Sequence, residues 1–360
     1  MKKQHEILFD FLRFSIGSDS EIPSSLKEAD WKELYRIAQK QCLVGILFDG
    51  IQKLPPAEVG MSKDLLLQWM MQCQMLERAN VRLNDAAIQV SEWFRKKGFR
   101  TCILKGQGNA LMYPNPYSRT PGDIDVWVEG GDKRVISFVR SISPHEKACY
   151  HHIEFPSYKG VEVEVHYRPS FLLCFWHNRK LQKYYERVTV EQFSHRVMLG
   201  EQGEIAIPTV EFNLIFQLTH IYAHLMNEGI GLRQLLDYYY VLISDDLLLI
   251  RDRVQKELKE LGLWKLAGAI MYIMQVVFGT PASRLIVPPN EKYGRFVLNE
   301  VLEAGNFGKH DERNRFGRSK LGHNLQRVYR DMRLVRYFPA EALSEPIFRT
   351  WHFLGRLRHK

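Results

Sequence analysis

Between Ser62 and Lys97 the chain has neither Gly nor Pro, and at Gly98 the spacing of its apolar residues changes. Leu66, Trp69, Met70, Leu76, Leu83, Ala87, Val90 and Phe94 follow helical spacing, which predicts one long amphipathic helix with Gly98 as its stop. Short apolar runs come next. Phe99–Leu104 reads as a strand, Lys105–Pro121 as a helix or loop, and Ile124–Val128 as a second strand. Asp132–Ser143 reads as a helix, and His151–Phe155 and Val161–Tyr167 as strands flanking a Pro-Ser-Tyr-Lys-Gly turn. That order predicts a small α/β unit with a mixed sheet.

Helical periodicity returns over Thr209–Ile243 and Leu247–Phe278, after which Pro281, Pro288 and Pro289 mark a linker. The fold class expected is α+β, in four regions. These are an N-terminal helical region (1–97), a sheet-bearing domain (98–200), a C-terminal helical region (205–280) and a basic, partly helical tail (290–360).

Apolar residues make up 45% of the 360 and charged residues 25%, and a chain of this size hides roughly 75% of its unfolded surface. No run reaches the ~20 apolar residues of a membrane span. Glu6, Asp10 and Arg13 interrupt any signal-peptide core, which predicts a cytoplasmic protein. Five widely spaced cysteines with no CxxC pair predict neither zinc nor a disulfide framework. Lys309–Lys360 carries 13 Lys/Arg against 5 Asp/Glu, so nearly all of the net charge of +9 sits there. Such a tail could meet nucleic acid, an acidic protein surface or an anionic membrane, or be a solvated helical face. Within it, Leu321, Leu325, Val328, Met332 and Val335 form an apolar face, with Arg327, Arg330, Arg333 and Arg336 on another.

The chemistry concentrates in Leu104–Val128. Asp123 and Asp125 are two residues apart at the start of a strand and therefore share a face, while Ile124, Val126 and Val128 point to the core. Two such carboxylates can hold divalent ions roughly 3.5–4 Å apart, the geometry of in-line phosphoryl displacement. Mg²⁺ suits them, because it binds one or two carboxylates together with substrate phosphates. In Val161–His166, Glu162, Glu164 and His166 alternate with three valines, and Glu164 is the favoured third carboxylate. Lys105-Gly106 offers a point charge and a close backbone approach to phosphate, and Arg119 a second cation.

These residues carry a resemblance. Leu104-Lys105-Gly106, Tyr113-Pro114, Arg119, Gly122-Asp123-Ile124-Asp125 and Glu164-Val165-His166-Tyr167-Arg168 resemble the uncharacterised bacterial nucleotidyltransferase family of the polymerase-β-like superfamily. The match is clear over about residues 100–170 and looser to Leu232-Arg233 and Asp237. It implies a small nucleotidyltransferase domain flanked by helices, moving a nucleoside monophosphate from an NTP with Mg²⁺. Asp123, Asp125 and Glu164 would bind metal, and Lys105, Gly106 and Arg119 would lie at the nucleotide. The acceptor is left open between a small molecule, a protein and RNA. The superfamily usually has Gly-Ser where this chain has Lys105-Gly106-Gln107, which keeps a catalytically inactive binding or interaction module as the alternative.

His220 and His224, four apart on a helix, have metal-ligand spacing with Asp237 as a third donor, though satisfied structural histidines are the reading favoured. On a strand, His151 and His152 would face opposite ways and make no joint site.

Overall fold

The computed structural model describes residues 3–56, 59–201, 203–313 and 320–358. Its first helices are α1 (Lys3–Ile16), α2 (Trp31–Gln41), α3 (Val44–Lys53) and α4 (Lys63–Lys96). The last is the long helix expected from the sequence. Ser62 caps it by accepting from the Leu65 amide, satisfying one free N–H of the first turn. At ~1.5 Å per residue α4 is ~50 Å long, enough to serve two cores. Its first half buries Leu65 and Trp69 against the N-terminal helices, and Trp69 Nε1 donates to the Val44 carbonyl at 2.8 Å. The second half buries Leu83, Ala87, Val90 and Phe94 beneath a sheet.

That sheet contains β1 (Thr101–Ile103), β2 (Ile124–Val128), β3 (His152–Tyr158) and β4 (Val161–His166), ordered β1-β2-β4-β3. Only the β2–β4 pairing is parallel, so the sheet is mixed, as expected. Between β1 and β2 lie a single helical turn, α5 (Gln107–Ala110), and a 3₁₀ turn at Pro116–Ser118; α6 (Gly131–Ile142) follows β2. Side chains alternate across each strand. Ile124, Val126, Val128, Val163 and Val165 therefore pack on one face with Val135 and Val139 of α6. Asp125, Trp127, Glu164 and His166 take the other. There the Trp127 ring lies 4.7 Å from Phe193 and 5.8 Å from Phe212, on α7 (Phe175–Ser194) and α8 (Val210–Asn227).

Three local expectations change. β3 runs through Pro156 to Tyr158, and the turn shrinks to Lys159-Gly160. Pro156, which has no N–H to give, falls where the register shifts between Phe155 and Tyr158. The first half of β3 is flanked by Ala148, bridged to Ile153, and by Lys147, whose carbonyl accepts from Glu154 N at 3.2 Å. α7 and the hairpin β5 (Arg196–Met198)/β6 (Glu204–Ala206) had no counterpart in the sequence reading. Three-residue strands are too short for alternation to show. The two long helical stretches each divide: α8 and α9 (Leu232–Leu242) part around Gly229–Gly231, and α10 (Leu247–Glu260) and α11 (Trp264–Phe278) part at Gly262.

Residues 1–97 and 205–280 contribute to one continuous apolar core. Gln41 stitches them together: its Nε2 donates to Val301 O at 3.1 Å and its Oε1 accepts from Leu232 N at 2.8 Å. The chain continues through α12 (Glu291–Ala304), α13 (Lys320–Leu334) and α14 (Pro339–Arg358). Among the described residues, no helix is long and apolar enough to cross a membrane.

The faces of α13 are only partly those expected. Leu325, Val328 and Met332 are exposed, Met332 by 69%, whereas Arg330 and Leu334 are buried; the Leu321 side chain lies outside the described residues. The cause is acidic. Glu300 on α12 is nearly buried and takes Arg313 at 2.8 Å and Arg333 at 3.1 Å, while Asp311 takes Arg313 at 2.8 Å. Carboxylates removed from water need cations beside them, so Arg333 turns inward next to Arg330 and Leu325, Val328 and Met332 turn out, while Arg327 and Arg336 stay exposed and Val335 packs on the core.

The loop entering the site is seated by Gly45 on α3. A Cβ there would lie 2.2 Å from the Ser118 carbonyl oxygen, a backbone atom that cannot swing aside. Gly45→Ala should therefore cost about 1–3 kcal/mol, the range for overpacking, read as a lower midpoint in urea unfolding.

Candidate active site

The parallel pairing of β2 with β4 sets Asp125 directly opposite Glu164. Asp123 sits one residue before β2 rather than within it. One oxygen from each of Asp123, Asp125 and Glu164 falls within 4.8 Å of the others. Asp125 is 1% exposed, while Asp123 and Glu164 are partly exposed. Glu162 is exposed and outside this cluster, because the register presents Glu164 to Asp125.

Cations surround the carboxylates. Lys105 Nζ lies 3.1 Å from Asp125 Oδ2. His166 Nε2 lies 2.9 Å from Asp125 Oδ1 and 3.5 Å from Glu164 Oε2. Burial alone would raise the Asp125 carboxyl, but Lys105 and His166 hold it below its usual range. Glu164 is lowered in the same way: burial works against its charge, and His166 and His152 outweigh it. Burial opposes the His166 imidazolium, yet its bonds to Asp125 and Glu164 lift it to about 9. Lys105 loses by burial and gains more from Asp125, Asp123 and Glu164, so it stands above its ordinary value. Asp125 Oδ2 is buried and makes no hydrogen bond, since the Lys105 contact is an ion pair off hydrogen-bond geometry. That oxygen, ion-paired with Lys105 but accepting no aligned hydrogen bond, fits a divalent cation together with the other two carboxylates.

Lys105, Gly106, Asp123, Asp125, His220 and Arg233 line one cleft, with Arg119 and Asp237 in its wall. Gly106 has φ +63°, a conformation L side chains rarely adopt, and a Cβ there would lie 3.6 Å from the Asp123 carbonyl. The helix expected after it is the single turn of α5. Arg119 is placed in the cleft with its charge already engaged: Nε and Nη2 meet the two Asp237 oxygens at 2.8 and 2.7 Å, and Tyr113 donates to the same carboxylate at 2.7 Å. Asp237 is thereby taken from the histidine pair for which its spacing offered it. His220 and His224 meet each other, Nε2 to Nε2 at 3.0 Å, and His220 Nε2 lies 3.4 Å from Lys105 Nζ. Burial first, then Lys105, push His220 well below its usual value.

Sequence reasoning assigned no role to Arg233. It is 7% exposed, donates to Thr120 O at 3.0 Å, leaves Nε without a partner, and makes no ion pair among the described residues. Its one sequence signal was the Leu232-Arg233 resemblance. His151 and His152 also depart from expectation. His151 precedes β3 instead of lying in it, so the two rings meet, Nε2 to Nδ1 at 3.1 Å.

A family model described as uncharacterised nucleotidyltransferase matches residues 27–279, more than half of the chain. The chain belongs to this family. The nucleotidyltransferase match takes in all three carboxylates and ends before the basic tail. No curated protein matches the chain. Among solved structures, it is similar to an antigenic nucleotidyltransferase-like protein from Paracoccidioides brasiliensis. That similarity has 15% identity and a TM-score of 0.28, over 50% of this chain and 92% of the other. The small mixed sheet flanked by helices matches a polymerase-β-like nucleotidyltransferase fold.

The Arg119–Asp237 pair sets two outcomes. Asp237→Ala strands a buried guanidinium and should cost about 3–5 kcal/mol, measured by denaturant unfolding. Burial raises the Asp237 carboxyl and Arg119 lowers it further, leaving it below its usual 3.8. Its stabilisation is therefore complete above that value and lost as pH falls through the folded one. The acid limb of the wild-type stability curve should be steeper than that of Asp237→Asn.

Proposed function

We propose that the chain is an Mg²⁺-dependent nucleotidyltransferase that moves a nucleoside monophosphate from an NTP to an acceptor hydroxyl. The observation carrying this is the convergence of Asp123, Asp125 and Glu164 beside Lys105 in a family of that chemistry. Asp123, Asp125 and Glu164 would hold two Mg²⁺ ions, which when bound neutralise phosphate charge and polarise the phosphoryl oxygens. The remaining work is positioning and charge, as in phosphoryl transfer generally.

Lys105, bent onto Asp125, is within reach of phosphates in the same cleft, and the left-handed turn at Gly106 lets the backbone approach them. Arg233 supplies the cation that Arg119, held by Asp237, does not have free. Arg119 then acts as a positioning residue, fixing the loop that leads to Asp123. An NTP donor and Mg²⁺ fit a cytoplasmic setting. The acceptor is a small molecule, a protein or RNA. The inward turn of Arg313, Arg330 and Arg333 leaves the tail less free positive charge for nucleic acid than its composition implies.

One observation favours nucleotide binding without turnover. Lys105 and His166 already balance the charge of Asp125, so the cleft is stable without an ion, as an inactive binding module requires. Thermal unfolding with each NTP, with and without Mg²⁺, tests binding, since a ligand at 100 times its Kd adds ≈ 2.7 kcal/mol. A Mg²⁺-dependent rise, lost in the Asp123→Asn/Asp125→Asn protein, is expected. Asp125→Asn should lower NTP turnover by at least ~100-fold, the scale of removing one preorganised electrostatic group. Unchanged turnover would remove the metal assignment, and no shift with any NTP would remove the nucleotide.

A further inference from the structure

We propose that His152, Glu164 and His166 form a binding site for a divalent transition-metal ion, distinct in donor chemistry from the oxygen cluster but sharing Glu164 with it. His152 Nδ1 lies 3.3 Å from Glu164 Oε2, and that oxygen lies 3.5 Å from His166 Nε2. One donor atom from each residue falls within 4.8 Å of the other two. A tetrahedral ion with bonds of ~2.0–2.1 Å holds its ligand atoms ~3.3 Å apart. The two separations from Glu164 Oε2 are close to the edges of such a coordination sphere, and the two imidazole donors lie within 4.8 Å of each other.

The sheet explains the placement. His152 pairs with His166 across β3 and β4, and Glu164 precedes His166 by two residues on the same face. All three side chains thus project from one patch of sheet.

The orientation of His166 is an independent observation. Its Nδ1 lies 3.3 Å from the Arg168 carbonyl, the outer contact that fixes a ligating imidazole and leaves Nε2 to bind. That Nε2 then faces Asp125 Oδ1 at 2.9 Å and Glu164 Oε2 at 3.5 Å. Three electron-rich atoms meet there, and a positive centre must sit among them: a proton on Nε2 or a metal ion.

Further nitrogen and sulfur lie behind. His151 Nε2 is 3.1 Å from His152 Nδ1, and Cys149 Sγ is 3.5 Å from His151 Nδ1. Two imidazoles with one carboxylate suit Zn²⁺, Co²⁺ or Mn²⁺, whereas Mg²⁺ keeps to oxygen and water. Three protein ligands leave a fourth tetrahedral position for water or another donor. No nucleotide is needed, so the site stands or falls apart from nucleotidyl transfer.

The test is a titration of the chelator-treated chain with Co²⁺ alone. Visible d–d absorption saturating at one ion per chain is expected, reversed by Zn²⁺ and retained in excess Mg²⁺, which competes for the shared Glu164 but not for the two imidazoles. His152→Ala should lose more than ~100-fold in Co²⁺ affinity, beyond the ~10–100-fold that an outer-shell partner costs, while Asp123→Asn keeps the signal. X-ray absorption of the Zn²⁺-loaded wild type, which needs no variant to fold, should show scattering from two imidazole rings. Three results would overturn the proposal: no Co²⁺ absorption, a first shell of oxygen alone, or a signal that survives His152→Ala and disappears in Asp123→Asn. Because the Mg²⁺-NTP shift is read separately, either assignment can fail without the other.

Discussion

The bidentate contact between Arg119 and Asp237 joins the two halves of this molecule at the point where chemistry is expected. Both groups are buried, so neither tolerates loss of its partner. Arg119 belongs to the loop between β1 and β2, and Asp237 to α9, so the pair ties that loop to the C-terminal helices. Asn80 on α4 grips the same loop from the other side, donating to the carbonyls of Tyr117 and Arg119 at 2.9 and 2.8 Å. Thr120 adds a bond to Cys42 O at 2.9 Å. The residues leading to Asp123 are thus held by helices from three separate parts of the sequence. A site on a loop of this kind gains the rigidity that strands and helices ordinarily provide.

What the sequence disclosed depended on whether the signal was local. The two-residue period of β2 and β4 was readable, and it placed Asp125 and Glu164 on one face and the valines on the other. Their direct juxtaposition needed the parallel register, which strand periodicity cannot state. The engagement of Arg119 was hidden for a similar reason, because its partner lies 118 positions away. α13 misled in a different way. Its apolar spacing is a true amphipathic pattern, but the pattern does not say which side meets the protein. Buried Glu300 and Asp311 decided that, and they belong to other segments. His151 and His152 were misjudged through a strand boundary one residue off, which is enough to rotate a side chain to another face.

Charge balance in the cleft is a compromise between folding and function. Three carboxylates within contact distance repel one another, and a protein that folds without an ion must compensate them with its own groups. Lys105 and His166 do so here. Lys105, partly buried, and His166, buried, are each held in the charged form by the carboxylates while no ion is bound, so the ion-free cluster is stable only as a set.

The outer edge of β3 has a consequence for how this protein can associate. An open strand edge is a template for another chain, and sheets continue across it when nothing intervenes. Here residues 147–149 occupy half of that edge, and Pro156 with its register shift breaks the other half. Growth of the sheet from one copy into the next is blocked over the first half of β3 and disfavoured at Pro156. Partners must therefore meet this face of the molecule through side chains, where selectivity is set by shape and charge and not by the indiscriminate pairing of backbone.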